Sequence, residues 1–577
     1  MKLNRTLMVL GTVALTFLTF FYGSGIAGAK DADELKPIGV VSFAGYDQLW
    51  DAAEKISDFI GYKDTVTSIR SVTADVQGMD TQKPWGIAFL TDGEDVYSVA
   101  FLPVPNIEEL EFVGSQGLKD EIETNDDGQK YLEFGGDEEK TWEIVEKDGW
   151  TYVIQGMGKS AILDKIDPTA LLDGLNNQYL LAGKLYCSNI PDELLESAFA
   201  FYRQLIAEND VANVNVELAI DLYSWIIHEV DTLVYGWKVS PETGDIDIDV
   251  SMVAKKDSVL VDCWKERGKT QWGSFYQPDD SVFSFCDSNI VPEEVRKYNV
   301  ESCKEVFDRI SEAIDVYIDD EKDLNYVHEI LDEYRDCAVK AIEAGKSDGV
   351  VTLTAEPLLV AAASVTEGNQ LQKSLEKVVE HAKEQIEDDE DKETFDRVIQ
   401  LNVDKINGYQ VSVIELSFDD DIPVDNEMLA GKSFCLRLGF RDDKVVVVSG
   451  LDSQSVLEKF REVASAPENN ITVPDTTAVF SLAEFGKMIG HFLPDAEEGT
   501  EDDLVSQLKP YIDILKDASP DAKILVTNTL KDTELTGNIR MTGEHVAAIG
   551  KLIQAYLANQ MAGLDEDADE NIDDSFE

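Results

Sequence analysis

Two spacings of apolar residues alternate along the chain. Leu49, Ala53, Ile56 and Ile60 keep the three-to-four spacing of one buried helix face, which predicts a helix over Asp47–Ile60. A short strand, Val40–Phe43, precedes it. Strands Trp85–Leu90 and Val96–Leu102 follow, joined across Asp92-Gly93, a strong hairpin signal. This order (strand, helical sequence, two strands and usually another helix) recurs three more times. The second copy starts near Tyr179, with helices over Asp192–Ile206 and Val214–Val230 and strands Leu233–Val239 and Ile246–Val253, with Gly244 at the turn. The third starts at Val282, with helices Pro292–Ile318 and Asp323–Ala344 and strands Val350–Thr354 and Leu358–Val365. The fourth starts at Ala478, with helices Leu482–Phe492 and Leu504–Leu515, strands Lys523–Thr527 and Glu534–Met541, and a helix over Gly543–Leu557.

Copies one and three each carry additional strands. These are Lys130–Phe134, Thr141–Val145 and Thr151–Ile154, with Asp148-Gly149 as a turn. In the later half they are Val398–Val403, Tyr409–Leu416, Phe434–Phe440 and Lys444–Val448, followed by a helix over Ser453–Val463. One local match supports the repetition. Cys187-Ser188-Asn189-Ile190-Pro191 resembles Cys286 followed by Ser288-Asn289-Ile290-Val291-Pro292, each a strand end before a proline and acidic residues that open a helix.

Tight turns between strands imply antiparallel sheets with helices packed on one face, an α+β fold of internally duplicated β-α-α-β-β-α modules. The expected organisation is residues 1–29 as a signal peptide and a first half over 30–268, with modules near 38–166 and 178–268. A second half covers 279–558, with modules near 279–465 and 472–558, and 559–577 forms a disordered acidic tail. In the strand that holds Ile246, Ile248, Val250 and Met252, the alternating Asp245, Asp247 and Asp249 are expected in water. Val445–Val448, apolar throughout, reads as a strand covered on both faces.

Residues 1–29 have a basic start (Lys2, Arg5), an apolar run from Leu7 to Tyr22 and Ala27-Gly28-Ala29, the layout of a cleaved secretory signal. The rival is an uncleaved anchor, which Gly11, Thr12, Thr16 and Thr19 weaken. Extracytoplasmic location, periplasmic or secreted, is therefore expected, with no membrane span after cleavage. The chain has 577 residues and a formal charge of −65; losing Lys2 and Arg5 with the leader makes it −67. Apolar residues at 44% place the acid on the surface of ordinary cores rather than in a disordered chain. Such a charge argues against nucleic acid and anionic lipid as partners.

Six cysteines in an exported chain permit disulfides. Cys303 and Cys337 each lie 17 residues from Asp320, in the turn between two expected helices, so an antiparallel hairpin would bring them alongside as a disulfide candidate. The alternative is two buried thiols.

No complete catalytic or cofactor motif is present. Gly158-Lys159-Ser160, Gly345-Lys346-Ser347 and Gly431-Lys432-Ser433 lack the upstream glycine of a phosphate loop, where Val153, Lys340 and Asn426 stand instead. Ser374-Leu375-Glu376-Lys377 and Ser506-Gln507-Leu508-Lys509 match S-x-x-K without its partner motifs. His228, His328, His381, His491 and His545 show no metal spacing. The tail Asp565–Glu577 fails as a calcium loop, with Glu570 at the glycine position and Phe576 at the bidentate position. Acid runs Glu387–Asp391 and Asp495–Asp503 read as loops between helices. No catalytic, cofactor or metal residue is assigned, and only weak, diffuse divalent-cation binding is expected.

The function expected is a non-enzymatic binding or structural protein of the cell envelope, whose partner is another envelope protein or a polymer. The alternatives are an extracytoplasmic hydrolase using carboxylates far apart in sequence and a small-ligand binder at the junction of the halves. Self-repulsion at this charge is relieved by salt. The melting temperature should therefore rise through a NaCl titration, and more steeply with a divalent cation; a flat response would show the acids are already compensated.

Overall fold

The computed structural model describes residues 35–570 except 74–77, 94–95, 111–112, 114–116, 125–127, 135–141, 156–159, 209–215, 317, 319, 419–431, 468–470, 473–475 and 493–503. It is a mixed α+β fold built on antiparallel strands, in two compact units. The first holds residues up to Val261 together with Asn528–Val546. The second holds Asp262–Thr527 and the chain from Ala547.

In the first unit the chain runs β1 (Lys36–Phe43), α1 (Tyr46–Phe59), α2 (Lys63–Thr73), β2 (Trp85–Thr91), β3 (Val96–Leu102), β4 (Glu123–Thr124), β5 (Lys130–Phe134), β6 (Trp142–Lys147) and β7 (Trp150–Gln155). It continues through α3 (Pro168–Leu171), β8 (Leu181–Tyr186), α4 (Asp192–Glu208), α5 (Val216–Glu229), β9 (Val230–Val239) and β10 (Ile246–Ala254) to α6 (Val259–Lys265). All neighbours are antiparallel, in the order β4-β5-β6-β7-β3-β2-β1-β8-β9-β10. The Asp148-Gly149 turn forms as expected, with both residues at positive φ (51° and 77°), the geometry that matches strand twist in a two-residue hairpin. Val40, Ala88, Val99, Phe101, Tyr152 and Ile154 form the core on one face of this sheet.

The second unit runs β11 (Lys269–Thr270), β12 (Ser281–Ile290), α7 (Glu293–Asp315), α8 (Glu321–Glu343), β13 (Lys346–Thr354), β14 (Leu359–Ser364), α9 (Gly368–Gln385) and α10 (Asp389–Val398). Then come β15 (Ile399–Ile406), β16 (Tyr409–Ser417), β17 (Ser433–Arg441), β18 (Lys444–Gly450), α11 (Ser453–Ala464), β19 (Ile471–Thr472), β20 (Thr476–Ser481), α12 (Leu482–Gly490), α13 (Leu504–Lys516) and β21 (Lys523–Lys531). Its sheet order is β15-β16-β17-β18-β14-β13-β12-β20-β21, again antiparallel throughout. The strand β22 (Glu534–Met541) and the helix α14 (Gly543–Glu570) complete the chain.

Phe460, Val456 and Val463 of α11 fill the second unit's core against Val446, Val448, Val411 and Val350. Gly439 makes this possible: a Cβ there would lie 2.4 Å from the Phe460 ring.

Several expectations change. The segment around β22 belongs with the first unit, not the second half, because β22 pairs along β10 from Ile246↔Met541 to Val253↔Glu534. Glu387–Asp391 is not a loop. Asp388 caps α10 by accepting from the N–H groups of Glu390 and Asp391, and the acids that follow sit in the positive first turn. The run Asp495–Asp503 lies outside the described residues. β18 is fully buried only at alternate positions: Val446 and Val448 face α11, while Val445 and Val447 stay half-buried. The last helix continues to Glu570, thirteen residues beyond the expected end at Leu557, so the backbone of the acidic tail is helical at least that far.

The expected helical hairpin is formed by α7 and α8, with Asp320 capping α8. It carries Cys303 half-buried and Cys337 buried. All six cysteines are thiols in the structure, so their pairing stays a proposal for the oxidised protein.

Removing a fully buried aromatic costs about 3–5 kcal/mol, whereas exposed sites away from special features change by about 0.5 kcal/mol or less. Phe460→Ala should lower stability on the first scale and Val306→Ala, more than half exposed on α7, on the second. Chemical denaturation of the two variants side by side measures both.

Candidate functional site

A concentrated set of buried, hydrogen-bonded charge lies on β10. Val250 and Met252 of its apolar face are buried as expected, but the aspartates expected in water are not exposed. Asp247 and Asp249 are only 4% and 8% exposed, while Ile246 and Ile248 remain half-buried. Strand register explains the burial of the aspartates. β10 is flanked by β9 and β22, and these place Lys238 and Arg540 opposite Asp247 and Asn538 opposite Asp249. Donors therefore replace water.

Arg540 Nε donates to Asp247 Oδ1 at 2.8 Å. The Asn538 amide donates to Asp247 at 2.9 Å and to Asp249 at 2.6 Å. The Lys238 ammonium reaches the other Asp249 oxygen at 2.7 Å. Two further contacts extend the row. The Gly543 N–H donates to Asp245 at 2.9 Å, and the Ser251 hydroxyl donates to Glu534 at 2.6 Å.

Tyr179 covers this network. Its ring lies over Gly236, where a Cβ would stand 2.3 Å from the ring. Burial, and then the charge and hydrogen bond of Asp249, hold its phenol well above the usual range. The Asp247 hydrogen bond likewise raises the Arg540 guanidinium.

Asp247 and Asp249, two apart on one strand face, share the Asn538 amide nitrogen (2.9 and 2.6 Å), which holds their nearest oxygens closer than the roughly 6.5–9.5 Å between the carboxylates of inverting glycosidases. Their chemistry points elsewhere. Each is buried and already accepts from cationic and amide donors, Asp247 through Oδ1 and Asp249 through both oxygens, so their charge is largely engaged in strand pairing. The arrangement fastens β22 to β10.

The motif candidates are likewise absorbed into structure. Ser374 is fully buried, and its hydroxyl donates to Glu333 at 2.7 Å rather than facing a lysine base. Lys377 also pairs with Glu333, whose carboxyl is held below its usual range by Lys377 first and Ser374 second. Ser506 and Lys509 both fall on α13.

Ser311, His328 and Asp315 meet near the α7–α8 turn. However, the hydroxyl (3.3 Å) and the carboxylate (2.7 Å) both approach His328 Nε2. A proton relay needs them on opposite ring nitrogens. His381 stacks on Tyr326 at 3.8 Å and lies 3.4 Å from Asp323. Gly345 ends α8 at φ 70°, and Lys346-Ser347 open β13 as ordinary strand. Gly158 and Gly431 lie outside the described residues, as do Asn571–Glu577 of the tail.

The matched asparagines diverge. Asn189 donates to the Pro37 carbonyl, while Asn289 contacts Asp287 and accepts from Arg267. Burial raises the thiols of Cys187 and Cys286 to about 12. Among the described residues no group of three or more His, Cys, Asp or Glu is gathered to hold a metal ion. No helix of the described residues is long and apolar enough to cross a membrane.

No protein family, curated protein or solved structure matches this chain. The site therefore rests on its own geometry. Sequence reasoning missed Lys238, Asn538, Arg540 and Tyr179. The available signal was the alternation Glu534, Thr536, Asn538, Arg540, a strand face whose donors can pair with carboxylates on a neighbouring strand.

Removing a charged donor from a buried acceptor costs about 1–3 kcal/mol. Arg540→Met should lose that much, Asp247→Asn a similar amount, and the double variant less than their sum. A denaturation cycle on the four proteins measures the coupling; strict additivity would show the contact contributes nothing.

Proposed function

We propose that this is an exported, acidic, non-enzymatic binding or structural protein of the cell envelope, built by internal duplication. The leader-like start supports export. Duplication is supported by strand order. β4-β5-β6-β7-β3-β2-β1-β8-β9 in the first unit is followed, strand for strand, by β15-β16-β17-β18-β14-β13-β12-β20-β21 in the second. Helix pairs α1–α2 and α7–α8 occupy one slot in that order, and α4–α5 and α12–α13 the other. Each module of this kind is a strand, a helix pair and two further strands.

The observation that carries the binding role is the placement of exposed apolar side chains on helices. Val306 and Ile310 on α7, and Ile553, Tyr556 and Leu557 on α14, are each at least 40% exposed and follow one another at helical spacing. Rows of this kind mark contact surfaces more often than enzymatic clefts. The candidate catalytic groups, by contrast, are held in structural contacts.

Fractionation of the native cell with N-terminal sequencing tests the first part. The mature chain should begin at Lys30 in the extracytoplasmic fraction, and retention of Met1–Ala29 in a cytoplasmic pool would overturn the reading. Affinity capture from that fraction, with mass spectrometry, should return a stoichiometric envelope partner.

A further inference from the structure

We propose that the exposed face of α14 is a docking site for a cationic amphipathic helix of a partner protein; this names the partner chemistry of the binding role above and rests on it. The first turns of α14 are anchored. Ala548, Ile549 and Leu552 pack with Leu482 and Leu515 in one small core. Among the described residues that core reaches no further than Leu552, while the helix backbone continues to Glu570, a further run of about 27 Å at 1.5 Å per residue. Ile553, Tyr556 and Leu557 follow at i, i+3 and i+4 spacing, which puts them on one side of the helix. They are 43%, 54% and 43% exposed. The neighbouring helix α13 adds Leu508, 39% exposed. The Asn559 amide donates to the Tyr511 hydroxyl at 3.1 Å and ties this part of α14 to α13.

Charge selects the occupant. From Leu552 to Glu577 the sequence has eight acidic residues and no Lys, Arg or His. Apolar side chains lead into that acidic stretch along one helix. A helix with one apolar face and flanking Lys or Arg satisfies both parts: it removes the apolar row from water and neutralises the acids that follow. A second copy of this chain does not, because each copy carries a charge of −65. An anionic lipid surface is repelled for the same reason. The row on α7 is less selective, since Lys304 and Arg309 interleave with its acids.

The test uses the mature full-length chain and a synthetic helix with a leucine face and a lysine face, read by fluorescence anisotropy and by hydrogen exchange. Protection should fall on Leu552–Asn559. Ile553→Gln, Tyr556→Gln and Leu557→Gln together should weaken binding at least tenfold, with circular dichroism unchanged. Truncation after Leu564 should weaken binding and flatten its salt dependence, while Val306→Gln with Ile310→Gln should change it less than twofold. Equal binding by all variants, or protection on another surface, would mean diffuse attraction to an acidic protein and would overturn the α14 site while leaving the envelope role standing. Concentration-dependent dimers in sedimentation, or binding to phosphatidylcholine vesicles, abolished by the same triple substitution would also overturn it. A cytoplasmic location in the fractionation would discard the envelope role without touching the α14 result.

Discussion

The pairing of β10 with β22 holds the first unit's sheet to a strand nearly 300 residues further along the chain. Backbone hydrogen bonds set the register. Register in turn decides that buried carboxylates meet Arg540, Asn538 and Lys238. A slip of one residue would turn every side chain of β22 to the other face and leave Asp247 and Asp249 without Arg540 and Asn538. The aspartates thus act as a register pin. They tolerate burial only in one alignment, so an ionic contact of modest net stability supplies specificity.

The same chain must reconcile this pin with an excess of acid everywhere else. It does so by segregation. Apolar side chains are concentrated in separate cores, around Val40, Phe101 and Tyr152 in the first unit and around Val446, Val448 and Phe460 in the second. Acids recur where a helix begins and its N–H groups need acceptors, as at Asp320, Asp388 and Asp452. Negative charge there complements the helix end. Part of what looks like undirected acidity in the sequence is therefore capping.

Most of the fold was legible in local patterns. The strand and helix order, the Asp148-Gly149 turn and the α7–α8 hairpin all follow from spacing and turn chemistry within a few residues. Asn407-Gly408, another two-residue turn at positive φ between β15 and β16, was an equally plain signal that went unused. The failures have a common origin. Period-two alternation in β10 reveals two faces but not which one is covered, and the residues that cover Asp247 and Asp249 lie far away in sequence. Asp388 and the acids after it resemble a solvated loop unless the capping geometry is considered. In β18 four consecutive valines gave no alternation to read, although only Val446 and Val448 sit under α11. The buried ladder was invisible for the same reason as its partners: no local rule connects Asp247 to Arg540.

The interrupted course of the first unit has a consequence for biogenesis. Because Asn528–Val546 supplies one of its strands, that unit stays unfinished while the whole of Asp262–Thr527 is made. The inserted unit has every strand of its own sheet through Thr527 before β22 leaves the ribosome. Until β22 is made β10 remains an open edge, the kind of strand border that recruits chaperones or aggregates if synthesis stalls.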